Sequence, residues 1–115
     1  MTFPKPPRAG KGYLWVWVTV PNPKVGRRLA RALVEGRLAA CVGLMPGLES
    51  CYRWKGRIER ASECLLLAKT ARTRYAALER YVRAHHPYEV CEVVATPIVR
   101  GSAPYLRWID ESLRG

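Results

Sequence analysis

From Tyr13 to Val20 the chain is almost continuously aromatic and β-branched, the pattern of a strand buried on both faces in the middle of a sheet. Pro21 ends it. Asn22 then offers an N-cap oxygen with Pro23 at the first helical position. Val25, Leu29, Ala32 and Leu33 recur at helical spacing, while Arg27, Arg28, Arg31 and Glu35 fall on the other face. Gly36 is the expected C-terminal stop. Apolar and β-forming residues resume from Ala40 to Trp54, interrupted by Pro46-Gly47, and Lys55-Gly56 makes a tight turn into a further strand-like run from Arg57 to Thr70. The spacing predicts one long hairpin with a kink.

Thr70 or Thr73 is placed to cap a second helix in which Leu78, Val82 and His85 share a stripe. That helix should finish at His86, because Pro87 disfavours helical geometry in the residue before it. Glu92 to Val99 reads as a last strand, and Ser102 caps a final short helix with Tyr105, Trp108 and Ile109 as its apolar face. The order βαββαβ with an added C-terminal helix is that of an α/β (α+β) ferredoxin-like sandwich, in which helices cover one sheet face and leave the other for solvent or a partner. Residues 1–12 are rich in proline, glycine and basic side chains and read as a disordered tail. Residues 13–115 form the single domain.

The hairpin's length carries a further consequence. Strands of about 14 residues at about 3.3 Å each reach roughly 46 Å, whereas a compact domain of this size is about 35 Å across. The hairpin must bend sharply or overhang. An overhanging ribbon exposes edge groups beside Leu44, Met45 and Tyr52, and a second copy of the chain is the simplest cover.

Composition narrows the function classes. With 115 residues and 49% hydrophobic content, one packed core is affordable to the chain. The apolar run Leu14 to Val20 is far shorter than a membrane span of roughly 20 residues, and no small-residue cleavage site follows it, so a cytoplasmic protein is expected. Cys41, Cys51, Cys64 and Cys91 are irregularly spaced without a C-x-x-C pair. They read as buried, reduced thiols, with disulfides as the alternative. The net charge of +11 is mostly arginine and raises a polyanion partner. The charges are scattered over every predicted element, however, and Glu35, Glu79 and Glu111 are placed for helix-surface ion pairs, so a solvated surface is favoured over a nucleic-acid surface.

No Gly-rich phosphate loop, nucleophile elbow or Ser, His and Asp set is found in the sequence, and no enzyme is expected. The adjacent pair His85-His86, followed by Tyr88 and Glu89, points to a metal, since imidazole is the commonest protein ligand for copper, nickel and zinc. Neighbouring helical residues point about 100° apart, so both rings meet one ion only where the helix frays at Pro87 or another subunit supplies ligands. The competing assignment packs His85 on the apolar stripe and leaves His86 at the helix C-terminal dipole. Trp54 at the hairpin turn fits packing or ligand contact. Lys69 follows the apolar run Cys64 to Ala68 and wants a carboxylate or an anionic ligand.

Five strings stand together in order: Leu38-Ala39-Ala40-Cys41-Val42, Pro46-Gly47-Leu48-Glu49-Ser50, Tyr52-Arg53-Trp54-Lys55-Gly56, His85-His86-Pro87-Tyr88-Glu89 and Pro104-Tyr105-Leu106-Arg107-Trp108. In order and spacing they resemble the CutA divalent-cation-tolerance family, over about Leu14 to Leu113. The resemblance implies a ferredoxin-like homotrimer whose hairpin reaches across to neighbours, with a role in tolerance to divalent cations such as copper. It also implies a copper site made by a first-strand cysteine and the two histidines of the H-H-P-Y motif. His85 and His86 match those histidines, while the cysteine position falls on Val18, which has no ligand atom. The expected protein is therefore a non-enzymatic trimer that binds copper, another divalent cation or a small anion in clefts between subunits. His85 and His86 are the metal ligands, Trp54, Lys69, Tyr88, Glu89 and Cys41 line the cleft, and Tyr52, Trp54 and Trp108 lie at the interface.

Two alternatives use the same strand order. A trimeric signalling protein resembling the PII family would hold a nucleotide, but no long flexible loop or Gly-rich cradle is present. An RNA-recognition module would need aromatic residues on its third strand, and Arg57 to Thr70 contains none.

Overall fold

The computed structural model describes residues 12–115, so the tail expected over residues 1–12 lies outside the described residues apart from Gly12. The elements are β1 (Tyr13–Val20), α1 (Pro23–Glu35), β2 (Cys41–Trp54), β3 (Arg57–Ala71), a 3-10 turn (Arg72–Arg74), α2 (Tyr75–His85), β4 (Val93–Ile98) and α3 (Ala103–Leu113). Every strand pair is antiparallel and the sheet order is β2-β3-β1-β4. This is the expected ferredoxin-like sandwich.

β1 lies in the sheet's interior, paired with β3 along its whole length and with β4 from Tyr13 to Val18. Alternation along the strand decides what each face does. Leu14, Val16, Val18 and Val20 point to one face and pack against Leu29 and Leu33 of α1 and Leu78 and Val82 of α2. Burying each such side chain contributes about 1.5–3 kcal/mol. The other face carries Trp15 and Trp17, whose rings meet edge-on with centroids 6.1 Å apart. Trp15 is 38% exposed, so the strand is not buried on both faces. The unbroken apolar run concealed a sheet face that is still open within one chain.

Part of that second face is covered. Ile109 and Leu113 of α3 pack with Ala40 against Tyr13 and Ala71, and the Tyr13 hydroxyl donates to the Asp110 carboxylate at 2.7 Å. The inward stripe of α3 is thus Ile109 and Leu113. Tyr105 and Trp108, expected on the apolar face, lie at the surface as an exposed pair with centroids 5.6 Å apart.

The helix ends depart from the expected caps in instructive ways. The Asn22 side chain does cap α1, accepting from Val25 N at 2.9 Å. At the other end Gly36 keeps an ordinary φ of −78°, and Arg37 takes the left-handed φ of 56°. Leu38 N donates to Leu33 O and Arg37 N to Val34 O, the paired bonds of a Schellman ending. Arg37 is tied down by donating to Ser112 O at 3.0 Å. Thr70 does not cap α2; its hydroxyl donates to Leu38 O at 2.7 Å. Thr73 lies inside the 3-10 turn that precedes α2, and neither α2 nor α3 receives a side-chain cap. Of the expected helix-surface ion pairs, Arg31 meets Glu35 at 2.6 Å, while Glu79 accepts from the Tyr75 hydroxyl at 3.1 Å.

The hairpin is bent and it also overhangs. The register of β2 against β3 shifts between Met45 and Leu48, where Gly47 takes a φ of 81°. A bulge of this kind bends the strand and strengthens its twist. Beyond the bulge, β2 and β3 pair only with each other, from Leu48 opposite Glu63 to Trp54 opposite Arg57, because β1 ends opposite Cys64. Lys55 and Gly56 close the ribbon with φ of 49° and 79°, both positive as a type I′ turn requires. The molecule reaches 44 Å in its longest dimension.

Candidate functional site

The site is built where the two-stranded ribbon leaves the sheet and faces the segment after α2. Pro87 drives His86 out of helical geometry, to φ −86° and ψ 138°. This turn brings the His86 ring beneath the edge of β1, where it is buried. Its Nε2 lies 2.7 Å from Thr19 O, and its Nδ1 accepts from Tyr88 N at 3.0 Å. A carbonyl oxygen can only accept, so the proton sits on Nε2 and the Nδ1 lone pair is already used. The register explains why a ring is needed there. β4 begins at Val93, opposite Val18, so Thr19 has no β4 partner, and the imidazole takes its place.

His85 behaves oppositely. It is exposed, stacked on Tyr81 with centroids 4.0 Å apart, and its Nδ1 lies 2.8 Å from Tyr81 O. The proton must again face the carbonyl, so Nδ1 is the donor and Nε2 keeps a free lone pair, the tautomer suited to metal binding. The competing assignment, with His85 packed on the apolar stripe and His86 at the helix C-terminal dipole, does not hold: His85 is exposed and His86 is buried against Thr19.

Two residues later the chain enters a cleft of about 710 Å³, walled on one side by Tyr52 and Trp54 of the ribbon and on the other by Pro87, Tyr88 and Glu89. Glu63 of β3 lies at its base, 8% exposed, and accepts from the Tyr88 hydroxyl at 2.9 Å. Burial, that hydrogen bond and the nearby negative charge push the Tyr88 hydroxyl pKa up to about 12, so Tyr88 stays a neutral donor. Lys55 lies 5.6 Å from the centroid of the Trp54 ring, so that ring already faces one cation.

The structure therefore brings Trp54, Tyr88 and Glu89 together, and Tyr52 with them. It leaves Lys69 and Cys41 elsewhere. They pair across β2 and β3 with Lys69 Nζ 3.8 Å from Cys41 Sγ, six residues along β3 from Glu63, or roughly 20 Å. Trp108 is on α3, outside the cleft. Val18 is fully buried in the helix-covered core. Among the described residues no group of three or more His, Cys, Asp and Glu side chains is placed to hold a metal ion. Sequence reasoning missed Glu63 and Thr19. The signal for Glu63 was present: it is a carboxylate at the mouth of an apolar strand, the same anomaly that singled out Lys69 at the other end.

A family model described as CutA1 divalent ion tolerance protein matches residues 14–112. The chain is 49% identical over 111 residues to Protein CutA of Mus musculus, an alignment that covers 92% of this chain and 63% of the mouse protein. The chain thus spans less than two thirds of that relative's length. It is 50% identical over 97 residues to the divalent-cation tolerance protein CutA of Thermus thermophilus, covering 84% of this chain and 94% of that one. Among solved structures, CutA1 from Oryza sativa superposes with a TM-score of 0.88 at 43% identity, covering 90% of this chain and 95% of the other.

Proposed function

Because this chain belongs to the CutA1 divalent ion tolerance protein family, we propose that it serves divalent-cation tolerance as a non-enzymatic homotrimer that binds copper or another divalent cation weakly. The observation that carries this reading is the family match, which spans nearly all of the folded domain. The geometry supports a division of labour within the histidine pair. His85 offers a free Nε2 whose tautomer is set by the Tyr81 carbonyl, and it is the ligand this chain supplies to the metal. His86, with both nitrogens engaged, joins it only if the Tyr88 contact opens. One imidazole makes a weak site, so further ligands come from neighbouring copies where the chains meet.

The open sheet face around Trp15 and Trp17 and the overhanging ribbon with Tyr52 and Trp54 favour assembly, since both leave apolar surface that a monomer would expose. Trp108 of α3 is likewise an exposed large apolar side chain. Four free thiols suit a reducing compartment, which supports a cytoplasmic location.

Light scattering tests the assembly and calorimetric titration with Cu²⁺, Zn²⁺ and Ni²⁺ tests the site. A trimer with copper affinity in roughly the micromolar range or looser is expected, lost in His85→Ala without change of mass. A stable monomer at micromolar concentration refutes the trimer. Undiminished copper binding by His85→Ala refutes the ligand.

A further inference from the structure

We propose that the outer surface of α1 and α2 docks a nucleic-acid duplex through its phosphodiester backbone, without regard to base sequence. This layer lies across the sheet from Trp15 and Trp17, so assembly through the open sheet face and the ribbon leaves it uncovered. It uses neither histidine and goes beyond the metal reading.

Basic residues that look scattered along the sequence are gathered by the fold. Among residues 12–115, the stretches 22–37 and 72–85 that make the helix layer hold nine of 17 lysines and arginines but two of nine carboxylates. The rest of the described chain, made of the sheet, the ribbon and α3, holds eight against seven and is close to neutral. The excess charge is thus a property of one layer, and a surface of one sign draws a polyanion towards it at long range.

These cations are not consumed within the chain. Both carboxylates of the layer are engaged, Glu35 with Arg31 at 2.6 Å and Glu79 with the Tyr75 hydroxyl at 3.1 Å. Residues 1–11 contain no aspartate or glutamate, so no carboxylate comes from there. Lys24, Arg27, Arg28, Arg80 and Arg83 are all exposed, and among the described residues none of them makes an ion pair. They also share a direction. Leu29 and Leu33 of α1 and Leu78 and Val82 of α2 are buried against the same sheet face, so the polar sides of both helices point away from the sheet together.

The side chains select the kind of polyanion. Counting Arg31, five of the six cations in the patch are arginines, whose planar fork pairs phosphate oxygens bidentately. A single strand would need aromatic platforms for its bases, and none of the exposed aromatic side chains belongs to this layer. Helices that lie on an anionic membrane insert a face of Trp, Phe and Leu. Here the apolar faces of α1 and α2 are spent in the core, and among the described residues Val34 is the one exposed large apolar side chain of the layer. A firm array of donors without apolar or stacking groups fits a regular line of phosphates, which a duplex presents at one charge per about 1.7 Å of its axis.

Fluorescence anisotropy of a labelled DNA duplex of about 24 base pairs, titrated with the full chain between about 50 and 200 mM salt, tests the surface. With about five phosphates contacted, log K should fall against log salt with a slope of about −4.5, alike for two unrelated sequences. Changing Arg27→Gln, Arg28→Gln and Arg80→Gln together keeps helix propensity. It should weaken the duplex by about tenfold or more at about 100 mM salt and reduce the slope by about 2–3. The control, Arg100→Gln, Arg107→Gln and Arg114→Gln, removes the same charge from exposed positions outside the layer and should change affinity by less than about threefold. Light scattering and copper titration of the same proteins should be unchanged, so failure of the trimer or of the metal site is seen separately. The proposal is overturned if the parent does not bind the duplex at about 50 mM salt up to about 100 μM. It is equally overturned if the two triple variants weaken binding alike, if neither does, or if phosphatidylserine vesicles bind the chain and the duplex does not.

Discussion

Replacing His86 by alanine should destabilise the fold far more than replacing its neighbour His85. His86→Ala removes the donor to Thr19 O and the acceptor for Tyr88 N. A buried backbone group left unpaired costs about 1–3 kcal/mol. Thr19 is itself buried and has no β4 partner, so its carbonyl incurs the upper part of that range. Tyr88 is only partly buried, and water can reach its amide more readily, which puts it at the lower end. The sum is about 2–4 kcal/mol, a large fraction of the roughly 5–15 kcal/mol that holds a domain together. The same calculation for His85 gives less than about 1 kcal/mol, because its ring is exposed and contributes one bond to a carbonyl at a helix end and a solvent-facing stack on Tyr81.

Urea and thermal unfolding at one fixed protein concentration, followed by circular dichroism, measure the difference. With about 4–8 °C per kcal/mol for a domain near this size, the midpoint of His86→Ala should fall on the order of 10–25 °C below that of His85→Ala. Two further variants separate the two bonds. Asn at position 86 can offer an oxygen near the place of Nδ1 and Gln a donor near that of Nε2, so each should recover about half of the loss. If the two alanine variants melt within about 3 °C of each other, the structural assignment of His86 is refuted. The outcome also governs how the metal is tested: a double histidine variant would lose fold and ligand together, so His85 must be changed alone.

Tyr13→Phe removes the bond to Asp110 that ties α3 to the sheet and should cost about 1–2 kcal/mol, with faster hydrogen exchange in α3 than in α1; uniform exchange would show that α3 is not held there. Gly56→Ala places a side chain at φ 79° in open space, so it should cost about 1 kcal/mol through backbone strain alone while Gly56→Asn recovers most of it; equal urea midpoints for the two would count against the turn assignment. Tyr88 should be the last tyrosine to ionise. Its folded pKa is raised from the ordinary 10.0 to about 12, so the neutral form is favoured by folding, and the stability it contributes is fully present below pH 10 and lost as pH rises from 10 towards 12. Absorbance titration at about 295 nm of parent against Tyr88→Phe should isolate a step near pH 12, and a step near pH 10 would refute the Glu63 contact.

What could be read from the chain was whatever one segment decides for itself. The I′ turn at Lys55-Gly56, the interruption at Pro46-Gly47 and the Asn22 cap each follow from local backbone preference, and each stands where expected. The helix cap at Gly36 failed by one residue, since glycine tolerates the left-handed conformation without requiring it, and Arg37 is held in it by a carbonyl 75 positions away. The two faces of β1 could not be told apart, because Trp15 and Trp17 are as apolar as Val16 and Val18, and which pair meets helices depends on elements that come later.

The histidine pair shows where local reading ends. Pro87 makes it certain that one of the two rings leaves the helix, and its position fixes that ring as His86. What the ring meets is decided 67 positions earlier, by the carbonyl of Thr19, and that carbonyl is available only because β4 starts opposite Val18 rather than one residue further along β1. Were β4 longer at that end, its backbone would satisfy Thr19 and the His86 Nε2 would be released from that carbonyl. The stopping point of an outer strand thus sets whether this chain presents one free imidazole or two, and with it how many ligands must come from elsewhere to complete a metal site.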